Sequence, residues 1–235
     1  AVIYKPDAAQ SYYLSYGVSQ NPAIEYLIIA PSDQSLSPER NNTLELAGKV
    51  KLFDGAAQLS GALFDTRVYN ARISDPDDPT VQQAPFDQQV KGFEFGINGY
   101  ITDSWEMTAN YTHLNDKITK TSDPLSLGMN APSTPHDAVS VWSTLEPTPA
   151  WSIGGGFTAV SHRFADTENT AGVPAYVVFN AMTSYTVNQH FKLQLNLNNV
   201  TDKLYFTSIY YTGIPENHAL PAAGRSALGT ANYRF

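Results

Sequence analysis

The chain has 235 residues, with 22 acidic side chains against 14 Lys plus Arg, a formal net charge of −8, 42% hydrophobic, 15% charged and 12% aromatic residues, and no Cys. That composition is too apolar and too poor in charge for intrinsic disorder, holds no thiols for a disulfide scaffold, and its negative sign argues against a nucleic acid as partner. A membrane helix needs about 20 consecutive apolar residues, and the nearest stretch, 138–161, is broken by Glu146, Pro147 and Pro149. The start, Ala1-Val2-Ile3-Tyr4-Lys5, has neither the basic head nor the apolar core of a secretory signal. The expectation is a mature chain, or one whose beginning has been left out.

The first few residues read as the tail of a strand. Ten strands follow, at about 10–19, 43–52, 57–70, 92–101, 104–118, 137–146, 150–162, 175–187, 191–198 and 225–235, because apolar and polar residues alternate there. Phe191-Lys192-Leu193-Gln194-Leu195-Asn196-Leu197-Asn198 is the clearest case. Short turns fall at 53–56, 102–104, 146–149 and 187–190. Long loops fall at about 20–40, 71–87, 119–136, 163–174 and 212–224, and hold most of the Pro, Asp and Ser. Short and long connections in alternation describe up-and-down antiparallel strands with two unlike ends, as in an outer-membrane barrel.

Charge avoids one face over the central part of the strands. Leu44, Leu46, Val50, Phe93, Phe95, Ile97, Trp105, Val141, Ile153, Phe157, Val177 and Leu195 share the apolar parity, and no charged residue stands among the apolar-parity positions of 44–52, 93–101, 105–111, 139–145, 151–159, 177–187 and 191–197. The other parity carries Glu45, Lys49, Lys51, Glu94, Glu106 and Lys192. A Lys at a bilayer midplane on the lipid face costs about 2–4 kcal/mol, which accounts for the exclusion. Trp105, Trp151, Tyr185 and Phe235 near strand ends fit interfacial girdles. A β-sandwich with a hydrated outer face stays open as the alternative on these patterns.

No His-Glu-x-x-His, Gly-x-Ser-x-Gly or phosphate loop stands in the sequence. Asp75-Pro76-Asp77-Asp78-Pro79 reads as a solvated loop tip, and Gly154-Gly155-Gly156 as close packing within a strand.

Phe191 to Tyr205, with Asn198-Asn199-Val200-Thr201-Asp202 at its centre, resembles the penultimate-strand signature of TonB-dependent outer-membrane receptors, and Gly224-Arg225-Ser226 to Phe235 resembles their last strand. Thr230 stands where that pattern expects a small residue, with Gly229 one place early. Leu36-Ser37-Pro38-Glu39-Arg40 with Glu45-Leu46-Ala47-Gly48-Lys49, Gly92-Phe93-Glu94 and Ala131-Pro132-Ser133-Thr134-Pro135-His136 are similar to the siderophore-receptor branch, ferric-catecholate receptors most of all. The resemblance implies a transmembrane antiparallel β-barrel of 22 strands with a plug domain. Residues 1–235 would then be its C-terminal part, about ten strands, with the plug and the first strands absent.

It further implies energised uptake of a ferric siderophore through the TonB–ExbB–ExbD system, outer-membrane lipid and lipopolysaccharide as surroundings, no enzymatic activity and no cofactor. A passive porin or nutrient channel, or an outer-membrane barrel enzyme, is the alternative. An anionic, aromatic ferric catecholate calls for cations and aromatic faces at the outer mouth. Next to the long loops stand Arg67, Tyr69, Arg72, His113, His162, Arg163, Tyr210 and Tyr211. Arg67 and Tyr69 lead this set because their parity is read as pointing inward with Asp65. Arg225 belongs to the final-strand pattern and is read as structural. Glu45, Lys49, Lys51, Glu94 and Lys192 are assigned to the lumen, where they would hydrogen-bond the plug.

Overall fold

The computed structural model describes residues 1–21, 37–71, 86–211 and 217–235, with the backbone alone at Tyr210, Tyr211 and Asn217. In chain order the strands are β1 (Val2–Tyr4), β2 (Gln10–Asn21), β3 (Glu39–Leu52), β4 (Ala57–Ala71), β5 (Phe86–Thr102), β6 (Trp105–Lys120), β7 (Asp137–Thr148), β8 (Trp151–Val160), β9 (Arg163–Phe164), β10 (Gly172–Val173), β11 (Tyr176–Asn188), β12 (Phe191–Asn198), β13 (Phe206–Tyr211), β14 (Asn217–Pro221) and β15 (Ser226–Tyr233). Eleven of them form one sheet, in the order β1-β2-β3-β4-β5-β6-β7-β8-β11-β12-β15, and the pairs β9–β10 and β13–β14 are separate ribbons. Every pairing is antiparallel between chain neighbours once the ribbons are set aside. The ten strands and the strand tail read from the sequence are therefore all present. The sheet ends at β1 on one side and at β15 on the other.

Register decides which residues share a face, because side chains of directly paired residues stand on the same side of the sheet. One row runs Leu14, Leu46, Leu63, Phe93 and His113 across five strands. Another runs Val50, Leu59, Ile97, Ala109, Val141, Phe157 and Phe179. Among the described residues no second layer covers these rows: Leu46, Leu63 and Phe179 are 53%, 59% and 45% exposed. Fully burying one such side chain is worth about 1.5–3 kcal/mol, so a soluble protein would not leave whole rows bare. A sandwich needs apolar faces packed against each other, and the described residues supply no second face.

Near the short-turn end the apolar face carries a belt of aromatics whose polar atoms are satisfied by neighbouring strands. The Trp105 indole N–H donates to Ser143 Oγ at 2.8 Å, and that of Trp151 to Thr183 Oγ1 at 2.7 Å. Trp151 and Tyr185 meet edge to face with centroids 6.0 Å apart. The turn between β3 and β4 closes through the Ala56 N–H on the Phe53 carbonyl at 3.0 Å, and Gly55 takes a φ of 95° there. Buried apolar clusters sit only at the loop end among the described residues: Ala71, Phe86 and Ile118 in one, Ala165, Val173 and Ile209 in the other.

Candidate functional site

The polar face is a wall. One row passes through Tyr13, Ala47, Ala62, Glu94, Thr112, Ala138, Val160 and Tyr176. Glu45 and Lys49 flank Ala47 on β3, and Lys192 takes the same face on β12 through its pairing with Thr186. Two large rings lie against this wall over glycines. A Cβ on Gly92 would meet Phe64 at 2.6 Å, and one on Gly156 would meet the Trp142 indole at 2.8 Å and the Val141 carbonyl oxygen at 2.1 Å. The 154–156 glycine run is thus strand packing, as expected: it leaves room for Trp142.

At the loop end three long connections are tied into one unit. Asp116 is fully buried, and its carboxylate accepts from the Asn130 amide at 2.9 Å and the Ala131 N–H at 2.5 Å. The Asn130 N–H donates to Asn169 Oδ1 and the Asn169 amide returns to the Asn130 carbonyl, both at 2.9 Å. Asp166 caps its own loop, taking the N–H groups of Thr170 and Ala171 at 2.8 and 2.7 Å. The Ser133 N–H donates to the Phe164 carbonyl at 2.8 Å, joining 121–136 to β9. Within that loop the Ser126 hydroxyl and the Leu125 N–H donate to Asp123 and hold its carboxyl below the usual range.

The structure separates the residues expected to bind together. Arg67 and Tyr69 do not point to the polar wall. Leu44 pairs with Asp65 and Asn42 with Arg67, so both share the face of Leu46 and Leu63. The parity read from sequence was counted the wrong way on this strand, where the apolar residues stop at Leu63 and charge begins at Asp65. His113 also stands on the apolar face, its ring against Phe93 at 5.4 Å and its Nδ1 2.8 Å from Asp137 Oδ1. Arg163 is buried, with its guanidinium donating to the carbonyls of Phe206 and Thr207 at 2.6 and 2.9 Å, so it clasps β9 to β13 instead of facing a ligand. His162 is exposed, edge to face with Phe164 at 4.5 Å. Arg72, the acidic segment 75–79 and the side chains of Tyr210 and Tyr211 lie outside the described residues.

One feature of the loop end was missed. Tyr176, on the polar wall, meets Tyr205 with ring centroids 4.6 Å apart. Nothing in the spacing of these two tyrosines signals a pair; a tertiary contact across the loop after β12 makes it. The Asn199–Asp202 motif supports that loop. Asn199 is buried with φ 49°, and its side chain accepts from the Lys203 N–H at 2.8 Å and donates to the Lys203 carbonyl at 2.9 Å. The Arg225 N–H donates to Asp202 Oδ1 at 2.8 Å, fastening the start of the last strand.

The sequence pattern described as TonB dependent receptor-like, beta-barrel matches residues 1–200. The chain belongs to the TonB-dependent receptor family. The probable TonB-dependent siderophore receptor PiuA of Acinetobacter baumannii is 33% identical over 251 residues, covering all of this receptor chain and 33% of the relative. The catecholate siderophore receptor Fiu of Escherichia coli K12 is 30% identical over 236 residues, covering 95% of the chain and 30% of Fiu. In three dimensions the crystal structure of PiuA superposes with a TM-score of 0.87 over 98% of the chain, and the closed form of Fiu with 0.82 over 99%. The receptor chain spans about a third of the length of these relatives.

Proposed function

We propose that the full-length protein is an outer-membrane receptor that takes up a ferric siderophore, of the catecholate class, with energy delivered by TonB–ExbB–ExbD through a plug domain seated on the polar wall. The observation that carries this reading is the bare apolar face. Rows such as Leu14–Leu46–Leu63–Phe93 have no cover among the described residues, and acyl chains are the medium that would wet them. The names of the relatives supply the cargo: Fiu is a catecholate siderophore receptor and PiuA a siderophore receptor. Glu45, Lys49, Lys51, Glu94 and Lys192 offer the plug charged partners. For the ligand we assign the loop end of the wall: exposed His162 and the Tyr176–Tyr205 pair for stacking on catechol rings. Arg72, Tyr210 and Tyr211 stay candidates from the sequence alone. This is binding and gated passage, with no bond made or broken in the cargo.

The test is growth of an iron-limited host lacking its own siderophore receptors, complemented with the full-length gene and fed single siderophores. Growth on catecholates that disappears when TonB is deleted is the expected outcome. Growth that persists without TonB points to a passive channel, and growth on hydroxamates alone removes the catecholate assignment.

A further inference from the structure

Tyr205 stands immediately before β13, and that strand is irregular at its start. Phe206 pairs with Pro221 and Ser208 with Leu220, so Thr207 is one residue too many on its side of the hairpin, a β-bulge. In a regular strand successive carbonyls leave on opposite edges. Here the carbonyls of Phe206 and Thr207 both reach the Arg163 guanidinium, which donates through Nη2 at 2.6 Å and Nη1 at 2.9 Å. Pro221, opposite Phe206, has no N–H to offer, so the Phe206 carbonyl must take its donor from elsewhere. Arg163 is buried, forms no ion pair among the described residues, and its Nε–H meets no acceptor there. A buried guanidinium without a counter-charge is costly. What it gives in exchange is a rigid two-pronged hold on consecutive carbonyls, which the point charge of a lysine cannot reproduce.

Tyr205 is fixed from both sides. Asn199 holds the N–H and the carbonyl of Lys203, and the Ala222 N–H donates to the Tyr205 carbonyl at 2.9 Å. Were the bulge lost, the residues ahead of it would pair one step out of register, and a one-residue slip turns a side chain to the opposite face. Tyr205 would then leave Tyr176, whose ring it meets with centroids 4.6 Å apart. We propose that Arg163 is a positioning residue for the cargo site: it holds the bulge, and the bulge aims the Tyr205 ring at Tyr176, where the catechol rings stack. The guanidinium itself does not touch the cargo. This rests on the catecholate reading of the loop end.

The test is a double-variant cycle on full-length receptor in detergent, titrated with iron(III) tris(2,3-dihydroxybenzoate) and read by quenching of tryptophan fluorescence. An aromatic contact of this kind is worth about tenfold in affinity, so Tyr205→Ala and Arg163→Met should each weaken binding about tenfold. Because both remove the same contact, the double variant should also lose about tenfold, not about a hundredfold. Arg163→Lys, with one ammonium for two carbonyls, should lose about threefold. Hydrogen exchange checks folding separately: the amides of β3 to β5 should stay protected in every variant. If Arg163→Met does not fold, Arg163→Gln takes its place in the cycle. Unchanged affinity in the Arg163 variant, despite faster exchange in β13 and β14, would make the clasp purely structural and overturn the proposal. A loss of about a hundredfold in the double variant would overturn it too, since Arg163 would then act apart from Tyr205. If the parent receptor binds the complex and the Arg163 variant binds it equally well, this proposal alone falls. If the parent binds none, the catecholate reading falls and this proposal with it.

Discussion

A lysine at Ile97 is the sharpest probe of the apolar band. Ile97 pairs with Leu59 and Ala109, and lies near the middle of the β5 stretch between Lys91 and Thr102. Its neighbour Asn98 pairs with Gln58 and Thr108 on the polar wall. At the midplane of a bilayer a lipid-facing Lys costs about 2–4 kcal/mol, falling to about 0–1 near the interfaces. Ile97→Lys should therefore lower the folding equilibrium roughly 30- to 700-fold. Asn98→Lys, facing water or plug, should stay within about 0.5 kcal/mol of the parent. Leu63→Lys, one row below Asp65, should fall between them. The assay is urea unfolding of the full-length receptor in phospholipid vesicles, followed by tryptophan fluorescence. Equal costs at Ile97 and Asn98, or no decline from Ile97 to Leu63, would refute the assignment of this face to acyl chains.

Further outcomes follow from the loop end and the wall. Arg163→Met leaves the Phe206 and Thr207 carbonyls without their donor. Hydrogen bonds to charged groups are worth about 1.5–3 kcal/mol, so amides in β13 and β14 should exchange at least tenfold faster by hydrogen–deuterium mass spectrometry, while those of β3 to β5 stay protected. Gly156→Val forces a Cβ to within 2.1 Å of the Val141 carbonyl oxygen and 2.8 Å of Trp142; a loss of about 1–3 kcal/mol is expected, with a changed Trp142 emission. The Asp123 carboxyl is held below its usual range by the Ser126 hydroxyl and the Leu125 N–H. A carboxyl depressed in the folded state stabilises it above the unfolded pKa, about 3.9, and that contribution is lost as pH falls through the lower folded value. The Leu125 and Ser126 amides should thus stay equally protected from pH 7 to about 5 and loosen only below about 4; loosening near pH 6 would contradict the mechanism.

The wall was legible in the sequence because alternation over eight or more residues has one interpretation and short turns keep the register. Strands such as Phe191–Asn198 came out at their expected ends. The loop end was not legible, for physical reasons. The two-residue strands β9 and β10 are too short to show a period, and they exist because Ala165, Val173 and Ile209 pack together from distant parts of the chain. Arg163 looked like a ligand group because Arg beside a loop is usually exposed. Here two backbone carbonyls across the chain supply its partners, and no local pattern reports them. Asn199 carried a signal of a different kind: a motif that reads as family signature turns out to be a clasp holding a left-handed residue.

The inverted facing of Arg67 is itself instructive about where function can sit on such a wall. Parity fixes a face only relative to neighbours, while medium changes with height. Along β4 the same parity passes from Leu59 and Leu63 to Asp65 and Arg67 without leaving its face. The short turns step down in the same direction: the turn joining β3 to β4 lies level with Gly99, three residues short of Thr102, where β5 turns into β6. Charge appearing on apolar parity therefore marks the edge of the band, and the edge moves with the turns, as Arg40, Arg67 and Lys91 do. A residue selective for a cargo in the lumen has to satisfy two conditions at once, polar-wall parity and a height beyond that edge. Tyr176 meets the first, pairing with Val160 on the wall, and it stands at the loop end of β11. Arg67 fails the first, since it shares the face of Leu46 and Leu63, so its charge is not presented to a cargo in the lumen.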